Sequence, residues 1–289
     1  MAAEASFTLS SVQISRLFKY PLKSARGLEH QELTLGESGP IGDRCWMLVD
    51  SFNRFLTQRT FPRMALIEVS EETDSIKCNA PGMSPLSVSV PKPTTVGDSC
   101  DTRAIIWRDV VDVRQTSVEA AEWFSTFLGH PCRLVYQPTD SIRFVDPEYS
   151  GAGDRVSLAD GFPLLVIGQR SLDLLNEKLH LPITMERFRP NLVFDGGEPH
   201  DEDHWRRIRV GEIELQLVKP CARCAIPTVD PMTAFVGHEP TSTLAKYRRV
   251  GKKILFGQNA IARARGKVKV GDEVVVLEPV PFSLLPNYS

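Results

Sequence analysis

Short runs rich in β-branched and aromatic residues dominate the first half of the chain: "VQISRLFKYPL", "QELTLG", "RCWMLVD", "MALIEVS" and "AIIWRDVVDVR". Gly, Pro or Asn-containing turns break them, the pattern of strands. The period changes at "SVEAAEWFSTFLGH". There Ala121, Phe124 and Leu128 recur at helical spacing, Ser117 can cap the start with Glu119 and Ala120 behind it, and Gly129 can end the helix. Residues 137–155 are polar and rich in Pro and Gly, which marks a domain junction or a long functional loop. Beyond them "FPLLVIG" predicts a strand, "SLDLLNEKLH" a helix and "NLVFDG" a strand. "RRIRVGEIELQLVKP" predicts a hairpin turning at Gly211, and "STLAKYRR" a short helix. "KILFGQNAIARA" and "KVKVGDEVVVLE" close the chain as strands, the latter turning at Gly271-Asp272. There is no repeat, no low-complexity segment and no βαβα alternation of a doubly wound sheet. The expected fold is mainly β, built as barrels with helices as decoration.

Composition narrows this only a little. The 289 residues allow two domains or one large β-rich one. With 42% hydrophobic and 24% charged residues the chain reads as an ordinary soluble protein with a real core, and its net charge of −2 says nothing about partners. No apolar run approaches the roughly 18 residues of a transmembrane helix. The opening "MAAEASFTLS" shows neither an Arg-rich presequence nor a secretory h-region, so a soluble intracellular protein is expected. Of six cysteines, Cys45, Cys78, Cys100 and Cys132 are scattered singly, as in a reducing compartment. Cys45 reads as a small buried hydrophobe. One local charge bias stands out: Lys246, Arg248, Arg249, Lys252, Lys253, Arg263, Arg265, Lys267 and Lys269 lie in a segment without acidic residues. It reads as a solvated face or as a docking surface for an acidic protein. Its few aromatics make no stacking platform, so nucleic acid is not expected.

The remaining two cysteines lie in "VKPCARCAIPTVDP", Val218 to Pro231. Zinc commonly takes two Cys or Cys/His pairs, and there is no second C-x-x-C; only His200 and His204, on a polar stretch, could complete a set with Cys221 and Cys224. A thioredoxin-like pair needs a helix after the second cysteine, which Pro227 and Pro231 forbid. What is left is a proline-stiffened loop presenting a thiol near Arg223 and Lys219, cations that favour the thiolate that binds soft metals. Asp230 can move protons or cap a turn. Two loop cysteines without a role remain an alternative.

Neither G-x-x-x-x-G-K-[ST] nor G-x-G-x-x-G is present. Several clusters nonetheless join a cation to small polar residues: "YPLKSARG", "GDRCW", "TQR" and "RFRPN". Lys23, Ser24, Arg44, Arg59, Arg189 and Asn191 together offer donors for a phosphate or for a heterocycle's carbonyls and ring nitrogens.

In this order, these clusters resemble the MOSC-domain proteins of the mitochondrial amidoxime-reducing component family and its bacterial relatives. The likeness runs from "ISRLFKYPLKSARGLE" to "VKVGDEVVVLE" and takes in "FLTQR", "ERFRPNLVFDG" and "FGQN"; "APGM" and "EAAEWFSTFLGHPCRLV" look like plant members. The resemblance implies an N-terminal MOSC β-barrel domain over 8–136, a linker or long loop over 137–155 and a MOSC β-barrel domain over 156–285. It also implies a molybdenum pterin cofactor, Mo-molybdopterin. By motif position Cys224 is the sole protein ligand to molybdenum. Lys23, Ser24, Arg44, Arg189, Asn191, Arg223 and Asn259 bind the cofactor. The family's activity is two-electron reduction of N-hydroxylated compounds (amidoximes, hydroxylamines, N-hydroxy bases) and of nitrite, with electrons from cytochrome b5 and its NADH-dependent reductase. Asp230 is the expected proton relay, and the basic segment 246–269 the expected face for cytochrome b5. A cytoplasmic or mitochondrion-associated site follows. The chain departs from the pattern at Gly161 and Phe162, where some relatives carry hydroxyl residues, and at Ala222, commonly serine. A rival within the same family of domains is a sulfur carrier or cofactor-maturation protein holding a persulfide on Cys224.

Overall fold

The computed structural model describes residues 11–92 and 102–280; Cys100 and the first ten residues lie outside them. A nine-stranded sheet forms the frame. In spatial order its strands are Val274–Pro279, Trp205–Val210, Ile213–Ala222, Lys253–Ala262, Leu164–Gly168, Leu192–Asp195, Gln13–Lys19 and Leu28–His30, with Arg249–Val250 paired off Lys253–Ala262. Pairing is antiparallel except between Leu164–Gly168 and Leu192–Asp195, which run parallel and are joined through the helix Gln169–Glu177. That crossover is a local βαβ unit inside a β protein, with Leu172 and Leu175 packed on Phe18, Phe188 and Phe256.

The first strands of the chain are shared with the second half. Gln13–Lys19 pairs with Leu192–Asp195, and Glu32–Gly36 pairs with Gly266–Lys269. One core accordingly mixes Ile14, Leu17, Leu33 and Leu35 with Leu192, Leu215 and Val268. The rest of the first half closes on its own core. A four-stranded sheet (Trp46–Val49, Arg133–Tyr136, Asp109–Gln115, Thr102–Ile106) and a meander (Glu68–Glu72, Ser75–Asn79, Leu86–Ser89) enclose Leu48, Met64, Ile67, Phe124 and Phe127. Among the described residues no helix is long and apolar enough to cross a membrane.

Several local expectations shift. The helix Val118–Leu128 is capped by Ser117, whose hydroxyl accepts the Ala120 N–H, and ends at the left-handed Gly129. Its buried stripe is Ala120, Phe124 and Phe127, one position off the expected one at Ala121 and Leu128. "AIIWRDVVDVR" is two strands, Thr102–Ile106 and Asp109–Gln115, turning at Trp107 with a positive φ of 56°; a turn without Gly or Asn gives no compositional signal. In "MALIEVS" only Glu68 onward is strand, because Pro62 opens a 3-10 turn through Leu66. Gly271-Asp272 is a turn, but its flanking strands do not pair: Gly266–Lys269 goes to Glu32–Gly36 and Val274–Pro279 to Trp205–Val210. The helix in "STLAKYRR" is only Thr241–Leu244.

The crossover helix is docked by a buried carboxyl group. Ser171 Oγ donates to Glu202 at 3.1 and 3.0 Å and accepts the His200 N–H at 2.8 Å. Burial, and then the neighbouring Asp203 charge, push Glu202 up to about 7, although its N–H and Ser171 donors oppose the shift. A carboxyl group whose pKa rises on folding stabilises fully below its unfolded value and loses that contribution as pH climbs through the folded one. Glu202→Gln is therefore expected to gain in thermal stability relative to the parent between pH 5 and pH 8, by about 3 kcal/mol at most. Parallel pH–Tm curves for the two proteins would rule this out.

Candidate active-site cleft at the cysteine loop

The strand Ile213–Ala222 delivers the cysteine loop, and Pro227 fixes a 3-10 turn at Ile226–Thr228 behind it. Both Cys221 and Cys224 are free and half-buried. In extended chain, residues two apart share a face. Arg223 accordingly turns towards Cys221, donating to its Sγ at 3.0 Å and to the Phe188 carbonyl at 2.7 Å. Cys224 Sγ receives the Ile226 N–H at 3.5 Å. The cation facing the Cys224 side of the cleft is Arg59, brought from the first half of the chain, which pairs with Asp160 at 2.6 Å. Lys219, expected to act on the thiol, lies instead over the Tyr149 ring at 3.8 Å.

Cys224 opens into a cleft of about 340 Å3. Its wall contains Lys23, Ser24, Arg44, Arg189, Asn191, Arg223, Cys224 and Asn259, all singled out in the sequence, together with Arg59 and Asp160. The sheet explains the gathering. Asn259 faces Leu165 on one neighbour and Lys219 on the other, while Lys23 and Asn191 adjoin the next two strands in line. Gly257 permits this packing: at φ +77°, a Cβ there would lie 2.9 Å from the Val166 carbonyl oxygen.

The cations are held by a buried framework. Asp43 accepts the Tyr20 N–H at 2.8 Å and pairs with Arg44 at 2.6 Å. Arg44 and Arg189 lie 4.3 and 4.2 Å from the Tyr20 ring centre, so one phenol ring contacts both guanidinium groups. Burial lowers Arg189 to about 10, so it remains a cation at neutral pH. Burial likewise lowers Lys23 to about 8, against the pull of Asp160, which it meets at 2.7 Å. Burial raises Asp160, but Lys23 and Arg59 outweigh it and hold this carboxylate well below the usual range. Ser24, Arg44 and Arg189 all have positive φ, at 67°, 49° and 59°. Non-glycine residues rarely adopt that region, and strain of this kind collects where side chains must be aimed.

Three cation nitrogens of the wall, Arg59 Nη1, Arg189 Nη2 and Arg223 Nε, are buried without a hydrogen-bond partner. A buried donor left unpaired costs about 1–3 kcal/mol. The cleft is thus arranged for a ligand rich in acceptors, anionic where it meets the arginines.

Two residues do other work. Asn191 accepts from Arg44 and from the Leu165 N–H, and donates to the Phe18 carbonyl and Asp43, so its amide is engaged within the protein. Asp230, the expected proton relay, is not in the cleft wall. Its Oδ1 accepts the Met232 and Thr233 N–H groups and the Thr233 hydroxyl, and Oδ2 pairs with Arg187 at 2.7 Å. Burial raises this carboxyl group, but those donors and Arg187 bring it below its ordinary value, which suits a staple and not a proton donor at neutral pH.

The histidine route to zinc is closed by packing. His200 is enclosed near Tyr247 and Phe256, and burial lowers it to about 4. Among the described residues no group of three or more His, Cys, Asp and Glu could hold a metal. Cys45 is half-buried, and burial pushes its thiol up to about 12, consistent with an inert role. The basic segment divides: Lys246, Arg249, Lys252 and Lys253 are exposed, while its other cations are engaged with acidic residues. Arg248 is 3% exposed and pairs with Asp203, Arg263 pairs with Asp154, Arg265 with Glu37, and Lys267 and Lys269 with Glu32. Sequence reading missed Asp43, Asp160 and Tyr20. Asp43 sits inside the quoted "GDR" and Tyr20 inside "YPLKS", whereas Asp160 in "SLADGFP" carries no spacing signal.

Two family models match the chain: the MOSC N-terminal beta barrel domain over residues 11–131 and the MOSC domain over 153–275. The mitochondrial amidoxime-reducing component 1 of Homo sapiens is 30% identical over 287 residues, covering 91% of this chain and 82% of that protein. Its Mus musculus counterpart is 31% identical, with 91% and 82% covered. The molybdenum cofactor sulfurase of Danio rerio is 29% identical over 92% of this chain, which corresponds to 34% of that longer protein.

Proposed function

The chain belongs to the family of the mitochondrial amidoxime-reducing components, with its MOSC N-terminal barrel and MOSC domains, and from that premise we propose that it is a molybdenum-cofactor oxidoreductase acting on N-hydroxylated compounds. Association with the molybdenum cofactor comes with the family. The substrates in this reading are amidoximes, hydroxylamines and N-hydroxylated bases, with nitrite as a further acceptor. Cytochrome b5 and its NADH-dependent reductase supply the electrons. The observation that carries the reading is the Cys224 thiol, with Arg59 beside it, opening into a cleft whose arginines hold buried, unpartnered N–H groups.

Those residues fit the group. Cys224 offers one soft ligand for the metal. Lys23, Arg44 and Arg189 offer charge to a phosphate, and Ser24, Arg223 and Asn259 offer hydrogen bonds to a pterin. Asn191 contributes by holding Arg44. When bound, the cofactor supplies the two-electron redox chemistry that cleaves N–O. Converting N–OH to N–H and water also consumes two protons. Lys23 Nζ can hold one, since at about 8 it releases a proton more readily than an ordinary lysine. Asp160 fixes that ammonium with Oδ1 and Arg59 with Oδ2, tying the proton store to the cysteine side of the cleft.

Expression in a molybdenum-competent host, followed by metal analysis, pterin fluorescence and benzamidoxime reduction with a chemical reductant, tests the reading. One molybdenum per chain with turnover supports it. The sulfurase relative favours a second reading, a sulfur carrier with a persulfide on Cys224, which predicts persulfide without molybdenum. Arg189→Ala is expected to lower molybdenum and pterin content several-fold, since a charge-assisted hydrogen bond contributes about 1.5–3 kcal/mol. Full cofactor content in that variant would show that Arg189 does not contact the cofactor.

A further inference from the structure

We propose that the loop Asp230–Gly237 is the docking site for the redox protein that supplies electrons to the cleft, an inference that rests on the reductase reading above. The loop is built as a rigid display. Asp230 N–H donates to the Phe235 carbonyl and Ala234 N–H to the Asp230 carbonyl, each at 2.8 Å, while Gly237 N–H donates to the Thr228 carbonyl at 3.0 Å. Val229 and Val236 form an antiparallel bridge at its base. The Asp230 carboxylate ties down the tip and anchors it to Arg187, which also donates to the Pro227 carbonyl. All this order buries little of the tip. Met232 is 69% exposed, Phe235 71% and Val236 50%. Fixing apolar side chains in water has no stabilising return within the monomer, and three of them on one short braced loop suit a small contact surface.

Position and charge select the occupant. The loop follows the cysteine by one 3-10 turn. Electron transfer weakens steeply with distance, so a donor gains by docking close to the metal ligand. From Ala225 to Pro240 the chain contains no Lys or Arg, whereas apolar tips that enter membranes are usually partnered by basic residues. A stable dimer buries about 800 Å2 per partner, spread over about 20–30 residues; three side chains do not reach that. Transient redox encounters lie at the small end of interface size. The exposed cations Lys246, Arg249, Lys252 and Lys253 form the rival docking face, and an unchanged KM in the loop variant below would favour it.

The test uses the cofactor-loaded protein with a soluble cytochrome b5 domain and its NADH-dependent reductase as donor. Met232→Ser/Phe235→Ser should raise the apparent KM for cytochrome b5 about fivefold or more, while turnover with a small chemical reductant stays within about twofold; fivefold corresponds to about 1 kcal/mol. Phe235→Ala alone should show the same direction if the double variant is poorly folded. An unchanged KM overturns the proposal. So does loss, in the variant, of vesicle binding or self-association with donor KM intact, because either assigns the loop to another occupant. Failure of cytochrome b5 to drive turnover that a chemical reductant sustains overturns the partner. Absence of turnover with any reductant removes the reductase reading itself, a result distinct from the others.

Discussion

Cys224→Ser is expected to reduce amidoxime turnover by about 10³-fold or more, the scale seen when a group on which the chemistry depends is removed. A hydroxyl ionises far less readily than a thiol and is a poor ligand for a soft metal. The cationic wall is untouched by this change, so the pterin should still be retained in part while molybdenum falls. Cys221→Ala should keep most activity. The Cys221 sulfur only accepts one bond from Arg223, whose other nitrogen remains on the Phe188 carbonyl. Both cysteines line the cleft, so this inequality follows from the proposed ligand role of Cys224 and not from the C-x-x-C spacing. Equal losses in both variants, measured as turnover per molybdenum and as molybdenum per chain, would return the loop to a paired-cysteine role.

The reason for that inequality shows what a linear reading can and cannot reach. The residues of "YPLKS", "GDR", "RFRPN", the cysteine loop and "FGQN" converge on one cleft, because four of these motifs sit where strands of the nine-stranded sheet begin, end or bend, and "GDR" leads into Trp46–Val49 of the four-stranded sheet. The strands themselves were readable from alternation and turn residues. Which cation reaches which sulfur was not, since Arg59 lies 165 positions before Cys224. Nor could pattern reveal the left-handed backbone at Ser24, Arg44 and Arg189, where no glycine announces it. Trp107 hides its hairpin turn in the same way. The parallel step between Leu164–Gly168 and Leu192–Asp195 was also invisible, because a lone helix between two short apolar runs serves antiparallel folds equally well. Asp230 shows the converse failure: the residue suggested two roles, and only its bonds to Met232, Thr233 and Arg187 choose the staple.

Arg248 gives the second large effect, and a reversal of what its neighbours in sequence suggest. A run of lysines and arginines between 246 and 269 invites the expectation that Arg248→Glu weakens a docking surface and leaves the fold alone. In the structure Arg248 Nη2 meets Asp203 Oδ2 at 2.6 Å, and its Nε donates to the Leu255 carbonyl at 3.0 Å. The other Asp203 oxygen takes the Gln258 amide at 2.7 Å. Both ion-pair partners are buried. Removing one partner of such a pair leaves the other charge without its counter-charge and costs about 3–5 kcal/mol. At about 2–4 °C per kcal/mol for a protein of roughly this size, Arg248→Ala should melt about 10 °C lower. Arg248→Glu would set a second carboxylate against Asp203 and should fail to accumulate as folded protein. Lys252→Glu, at an exposed position a few residues on, should change stability by no more than about 0.5 kcal/mol. Circular dichroism melts of the three variants decide it. An Arg248→Ala protein that melts within about 2 °C of its parent, no more than about 1 kcal/mol, would mean that the pair contributes little net to the fold.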